Sequence, residues 1–350
     1  MAQSCPMLDR NLPLAIYMEG AVGEPSGKMG YGVLRHSPNP IACIVDSRTA
    51  GQSISQITGI QRECPIVGDL EEAQNLGAKV LVLGIAPPGG GLPPEWFPVI
   101  DEAVQRGMSV VNGLHERLEP RYPNLEPGQF IWDVRVEPPG LGVGSGAARH
   151  LPNKRVLMTG TDMAVGKMTA GLELVKAARE RGIKTEFVAT GQIGIVVWGR
   201  GVPLDAVRVD FASGSIEREV LAVADSELIV VEGQGALIHP GSTANLPLLR
   251  GSCPTHLILC HRAGQKTLRR IPEIEIPPLR TYIRLYEDLA EACGTFPRPK
   301  TVAVALNTAA LETDDEARAA CEQITRSTGL VCTDAVRFGA TALVQAIVSD

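Results

Sequence analysis

KRVLMTGTDMAVGKMTAGLELV, residues 154–175, runs an apolar strand, Val156 to Met158, into a glycine-bounded loop, Gly160 to Gly166, and then into a helix that opens at Lys167. A loop closed at a helix N-terminus points several backbone N–H groups inward, where the helix dipole also favours an anion. The stretch predicts a phosphate cradle, with Gly166 letting the backbone close tightly and Lys167 adding a point charge. The usual spacing is GxxxxGK followed by Ser or Thr. Here Gly160 stands one residue further out, Thr161 takes the first-glycine place, and Met168 replaces the hydroxyl that ligates magnesium. A thioether is a poor ligand for a hard cation, so phosphate binding is a safer expectation than metal-assisted hydrolysis, while Thr169 still offers a hydroxyl to phosphate. Gly160, Thr161, Asp162, Val165, Gly166, Lys167, Met168 and Thr169 are the candidate cofactor-binding set.

On either side the chain alternates strands and helices. From Lys154 onward, apolar runs at 155–159, 185–189, 227–231, 255–260, 301–306 and 329–333 are separated by helical patterns at 167–181, 213–224, 278–293 and 314–327. That order predicts an α/β fold: a P-loop NTPase-like, mostly parallel sheet with helices on both faces. Before it, runs at 41–45, 80–85 and 109–111, with a helix from Pro94 to Arg106, predict a smaller Rossmann-like α/β domain. The Gly/Pro-rich segment 138–146 reads as a linker, which places the domains at residues 1–150 and 151–350.

The 350 residues carry 33 Lys and Arg against 39 Asp and Glu, and no basic run tracks a phosphate backbone, so nucleic acid is not an expected partner. The apolar runs are strand-sized, so no membrane span is expected. The first twenty residues lack a basic start with an unbroken apolar stretch, and a cytoplasmic, homo-oligomeric protein, most simply a dimer, is expected. Eight cysteines without CxxC spacing read as reduced, mostly buried thiols.

LIVVEGQG ends a strand at Glu232, on the edge where ligands sit in open α/β sheets. Glu232 is a candidate to polarise a nucleophile or, with Asp210, to hold magnesium. Lys167, Glu232 and His239 are the candidate catalytic residues, and His261, at the end of LILCH, is a second candidate base. Gln192, in the turn ATGQIG, and Asn307, after VAVAL, offer amides toward a cofactor, Asn307 toward a purine base. Arg200 and Arg262 carry forks suited to carboxylates. A small-molecule substrate follows from this inventory.

GTDMAVGKMT and VEGQG resemble dethiobiotin synthetase, and Asn307 sits where such enzymes use an asparagine near the nucleotide base. Over nearly its whole length the chain resembles the D-glutamate N-acetyltransferase family, through GIAPPGG (84–90), NGLHERL (112–118), GTDMAVGKMT (160–169), ATGQIGI (189–195), VEGQG and LCH (259–261). This resemblance implies acetyl transfer from acetyl-CoA to the amine of an acidic amino acid. The resemblance to dethiobiotin synthetase implies instead an ATP- and magnesium-dependent ligase or kinase. A third reading is a regulatory protein that binds nucleotide without turning it over.

Overall fold

Leu14–Tyr17 forms β1, four buried residues directly after Pro13. The computed structural model describes residues 8–87 and 90–350; Cys5, with Pro88 and Gly89 of the expected GIAPPGG turn, lies outside them. β1 leads to α1 (Lys28–His36), β2 (Ile41–Val45), α2 (Ile54–Thr58), β3 (Ile66–Val67), α3 (Leu70–Asn75), β4 (Val80–Leu83), α4 (Phe97–Gln105), β5 (Ser109–Asn112) and β6 (Ile131–Asp133). All pairings are parallel, and the order β3-β2-β1-β4-β5-β6 is that of a Rossmann sheet. The sequence reading found β2, β4 and β5 and missed the short β1, β3 and β6.

After the first sheet the chain continues through β7 (Lys154–Gly160), α5 (Lys167–Glu180), β8 (Thr185–Val188), α6 (Gln192–Trp198), α7 (Val209–Leu221), β9 (Leu228–Val231), α8 (Asn245–Ser252), β10 (His256–Arg262), β11 (Thr267–Leu268), β12 (Ile271–Glu275), α9 (Leu279–Glu291), β13 (Lys300–Asn307), α10 (Asp314–Thr328), β14 (Val331–Thr333) and α11 (Thr341–Val348), of which α6 clusters with the first unit, and holds a second sheet. Its strands are parallel in the order β14-β13-β10-β7-β9-β8, and all six match expected runs. β11 and β12 form a separate antiparallel hairpin. Cys260 is level with Gly160, and Arg262 with Asn307, so β7, β10 and β13 end side by side at one edge.

The chain divides into one unit running to Glu137 plus Gln192–Ala206, and a second of Pro138–Gly191 plus Val207–Asp350. The Gly/Pro segment read as the end of the first domain therefore belongs with the second. Glu217 on α7 holds it there: its carboxylate accepts Ser145 N and Oγ at 2.9 Å each. α7 begins at Val209, earlier than the expected Ser213; Ser213 and Gly214 lie mid-helix, where Gly142 and Gly144 rest against them. Cys43, Cys64, Cys253, Cys260 and Cys321 are buried free thiols, whereas Cys293 is exposed. No helix among the described residues is long and apolar enough to cross a membrane.

Candidate functional site

β7 is buried from Arg155 to its end, so the loop after it starts from a fixed point inside the sheet. The chain then turns through Ala164, at φ 54°, and Gly166, at φ 102°. The second value is open to glycine and strained for any other residue, which explains the residue chosen to cap α5. Val165 turns into the core.

The loop is held from below and from one side. Tyr282 and Tyr286, both buried on α9, donate their hydroxyls to Gly160 O at 3.2 Å. Thr161 N donates to Cys260 O at 3.1 Å, and Thr161 Oγ1 lies 2.8 Å from His261 Nδ1. The Asp162 carboxylate accepts Met163 N at 2.6 Å, Gln265 Nε2 at 2.7 Å and Arg269 N at 2.9 Å. Arg262 donates to Ala164 O at 2.8 Å. Residues 261–269, the continuation of β10, thus clamp the loop. Thr161 and Asp162 spend their side chains on this clamp, a role that the motif spacing does not reveal. Burial pushes the His261 imidazole down to about 4, so it holds Thr161 as a neutral ring.

Lys167 is the first residue of α5 and is buried, with Nζ donating to Asp162 O at 2.9 Å. Burial lowers its pKa, while nearby Cys260, Asp162 and Glu232 act in the opposite sense. Glu232 follows β9 and is buried as well. Its Oε2 accepts Thr190 N at 2.8 Å and Gly191 N at 3.1 Å, and Thr190 Oγ1 donates to Glu232 O at 2.8 Å. Burial raises its carboxyl to about 7, against the opposing pull of those amides and of Lys167. A carboxylate poised there is suited to take a proton near neutrality.

Asn307 ends β13; its Oδ1 accepts Ala309 N at 3.1 Å, and its Nδ2 lies 3.6 Å from where a side chain on Gly166 would begin. The following turn is fixed by Asp334, which accepts Thr308 N at 2.8 Å and Thr308 Oγ1 at 2.6 Å, a buried anchor that no motif announces. His239 is half-buried. A Cβ on Gly241 would meet its ring at 3.4 Å and Met163 at 4.0 Å, so the His239 turn lies against the tip of the loop. Gln192, expected at the cofactor, opens α6, which clusters with the first unit, and its side chain lies close to Gly113. Arg200 clusters there too.

The residues do not build a magnesium cage. Asp210 is exposed in the first turn of α7, Glu232 is engaged by two backbone amides, and a thioether stands at Met168. Among the described residues no three His, Cys, Asp or Glu side chains gather into a metal-binding group. What the site offers is backbone amides, one ammonium and one carboxylate of raised basicity.

Residues 142–344 match a domain of unknown function described as the DUF1611_C P-loop domain, and residues 47–137 match the DUF1611_N Rossmann-like domain. A D-glutamate N-acetyltransferase of Pseudoalteromonas sp is 35% identical over 308 residues, covering 86% of this chain and 89% of that protein. One of the same name from Tritonibacter scottomollicae is 37% identical over 284 residues, covering 79% of this chain and 84% of that protein. The crystal structure of a DUF1611 family protein from Anabaena variabilis superposes with a TM-score of 0.93 at 49% identity, covering 97% of this chain and 100% of that one.

Proposed function

The chain belongs to the DUF1611 family, and from that premise we propose that it is an N-acetyltransferase that moves the acetyl group of acetyl-CoA to the amine of an acidic amino acid. The shared name of its curated relatives supports the reaction class. The observation that carries the reading is the pairing of a phosphate loop that has methionine at the hydroxyl place with a buried carboxylate raised to about 7. Such a loop holds a phosphate without the oxygen ligand that phosphoryl transfer asks of it.

Acetyl-CoA supplies an activated thioester together with phosphates for the loop. Lys167 and the amides that open α5 hold those phosphates. Glu232, as the carboxylate, takes the proton released as the substrate nitrogen bonds to the acetyl carbon. The sulfur leaves as the thiol of free coenzyme A, having gained a proton, so the bonds and charges balance. Asn307, beside Gly166, offers its amide to the adenine. His239 is the second candidate for the proton, on the turn against the loop's tip.

The test is direct. Purified protein is incubated with acetyl-CoA and D- or L-glutamate, thiol release is followed with a thiol reagent, and the N-acetyl product is identified by mass spectrometry. Stoichiometric thiol and N-acetyl amino acid are expected, without added magnesium. Formation of ADP from ATP with no thiol released from acetyl-CoA would sink the proposal in favour of a ligase or kinase.

A further inference from the structure

β10 lies between β7, which ends in the phosphate loop, and β13, which ends at Asn307. Cys260 is level with Gly160 and Arg262 with Asn307, and Ala263 N donates to Asn307 O at 3.0 Å. Whatever chain leaves β10 therefore sits between the place for phosphates and the place for a base. In any nucleotide, that interval holds the ribose.

What leaves β10 is RAGQKTLRR, residues 262–270, which carries Arg262, Lys266, Arg269 and Arg270 and no acidic residue. The segment turns back as the β11–β12 hairpin, with Arg269 and Arg270 at its turn. The turn is fixed against the loop: Asp162 Oδ2 accepts Arg269 N at 2.9 Å and Gln265 Nε2 at 2.7 Å, and Gln265 Nε2 also donates to Thr267 O at 2.9 Å. The side chains of Lys266, Arg269 and Arg270 are exposed. The return strand carries two acidic residues, Glu273 and Glu275, of which Glu275 pairs with Thr267 toward the hairpin's base. A basic turn is thus presented beside the loop, where one bidentate fork suits one phosphate.

Adenosine triphosphate carries all its phosphates in one chain from the 5′ carbon. Coenzyme A has a 5′ pyrophosphate and a separate phosphate on the ribose 3′ oxygen. We propose that the β11–β12 turn, through Arg269 and Arg270, binds the 3′-phosphate of coenzyme A, and so selects this donor over adenine nucleotides and over dephospho-coenzyme A. The proposal rests on the acetyl-CoA reading above.

The experiment compares acetyl-CoA with acetyl-dephospho-CoA, in the wild type and in an Arg269→Ala/Arg270→Ala double variant, by steady-state kinetics and by calorimetry of the two free coenzymes. For the wild type, KM for acetyl-dephospho-CoA is expected to exceed that for acetyl-CoA by about 10-fold or more, with kcat unchanged, as befits loss of a charge-assisted contact. In the double variant that preference disappears, because only the acetyl-CoA KM rises. Both side chains are exposed, so folding should persist, which a melting curve checks; an Arg269→Lys/Arg270→Lys variant keeps part of the preference. Equal use of both donors by the wild type overturns the 3′-phosphate assignment while leaving acetyl transfer intact. Thiol release from neither donor overturns the acetyl-CoA reading itself, and this proposal with it.

Discussion

The molecule contains the tripeptide Gly-Lys-Met at two equivalent places. GAVGEPSGKM, residues 20–29, follows β1 and leads into α1 at Lys28; GTDMAVGKM, residues 160–168, follows β7 and leads into α5 at Lys167. Each strand is interior in its sheet, so each loop emerges at the ligand-bearing edge. The resemblance ends with what fills the loops. In the first, a Cβ on Gly27 would lie 2.6 Å from Met18 Cε and 2.7 Å from Ala21 O, and Tyr31 donates its hydroxyl to Ala21 O at 2.8 Å. Gly30 N, in the first turn of α1, is already given to Gly84 O at 2.7 Å. Asp46, also at this loop, accepts Gly20 N at 2.9 Å, and Lys28 is exposed. In the second, the lysine is buried beside the loop and the aromatic rings sit underneath, on the Gly160 carbonyl. A Gly-Lys pair before a helix is therefore not a phosphate site where packing fills the loop and gives the helix's first amides to other partners.

The comparison breaks most readily on its two lysines. Lys167→Ala should lower kcat/KM for acetyl-CoA by about 10³-fold, chiefly through KM, the scale of removing one partner of a buried charge pair. Lys28→Ala should leave it within about 2-fold, as exposed substitutions usually do. Coupled thiol-release kinetics on both variants decide the matter; equal losses would erase the distinction drawn here.

Glu232→Gln comes next, with an expected fall of about 10²-fold in kcat. Because Glu232 titrates at about 7, it is a base only above that pH. The wild-type kcat/KM should therefore rise as pH increases through about 7 and then level, and the limb should vanish in the variant. A profile flat from pH 5 to 9 in the wild type would move the proton transfer elsewhere, with His239 the residue to test.

Much of this was legible beforehand, and the reasons are physical. The inner strands β7, β9, β10 and β13 are buried along nearly their whole length and read as continuous apolar runs, whereas the edge strands β8 and β14 keep partly exposed residues. The strand–loop–helix around Lys167 is legible through its bounding glycines, and the place of Glu232 through the end of the apolar run before it. Three things escaped. β3 and β6 have two and three residues, too few to show a period, and β1 stands directly after Pro13. The Gly/Pro segment reads as a linker by composition, yet the remote Glu217 holds it on α7. The clamp by His261, Arg262, Gln265 and Arg269 depends on a chain reversal about a hundred residues after the loop, a separation at which sequence pattern carries no pairing information.

That clamp gives a finer test of what distinguishes the two loops. Asp162→Ala leaves Gln265 Nε2 and Arg269 N without their shared acceptor, while the Lys167 bond to the Asp162 carbonyl can survive. The expected effect is about 10-fold in the acetyl-CoA KM, with a loss of about 1–3 kcal/mol in stability by denaturant titration. An unchanged KM would mean that the hairpin stands without the carboxylate and that the loop needs no support from β10.

The smallest effect is expected on the first loop, and it concerns stability rather than catalysis. A methyl group at Gly27 meets Met18, the Ala21 carbonyl and the Tyr31 ring, all within 2.8 Å. Met18 can shift, but the carbonyl is backbone, so Gly27→Ala should cost about 1–3 kcal/mol of stability through overpacking. By the same argument the packed loop holds no donor phosphate, so kcat/KM at 25 °C should stay within about 2-fold of the wild type while the melting temperature of the first unit falls by about 2–12 °C, at about 2–4 °C per kcal/mol in a domain near 150 residues. Calorimetric melting paired with the thiol-release assay separates the two readouts. A variant that melts like the wild type but loses affinity for acetyl-CoA would show that the first loop binds the donor too, and the contrast between the two Gly-Lys-Met turns would have to be redrawn as a shared role.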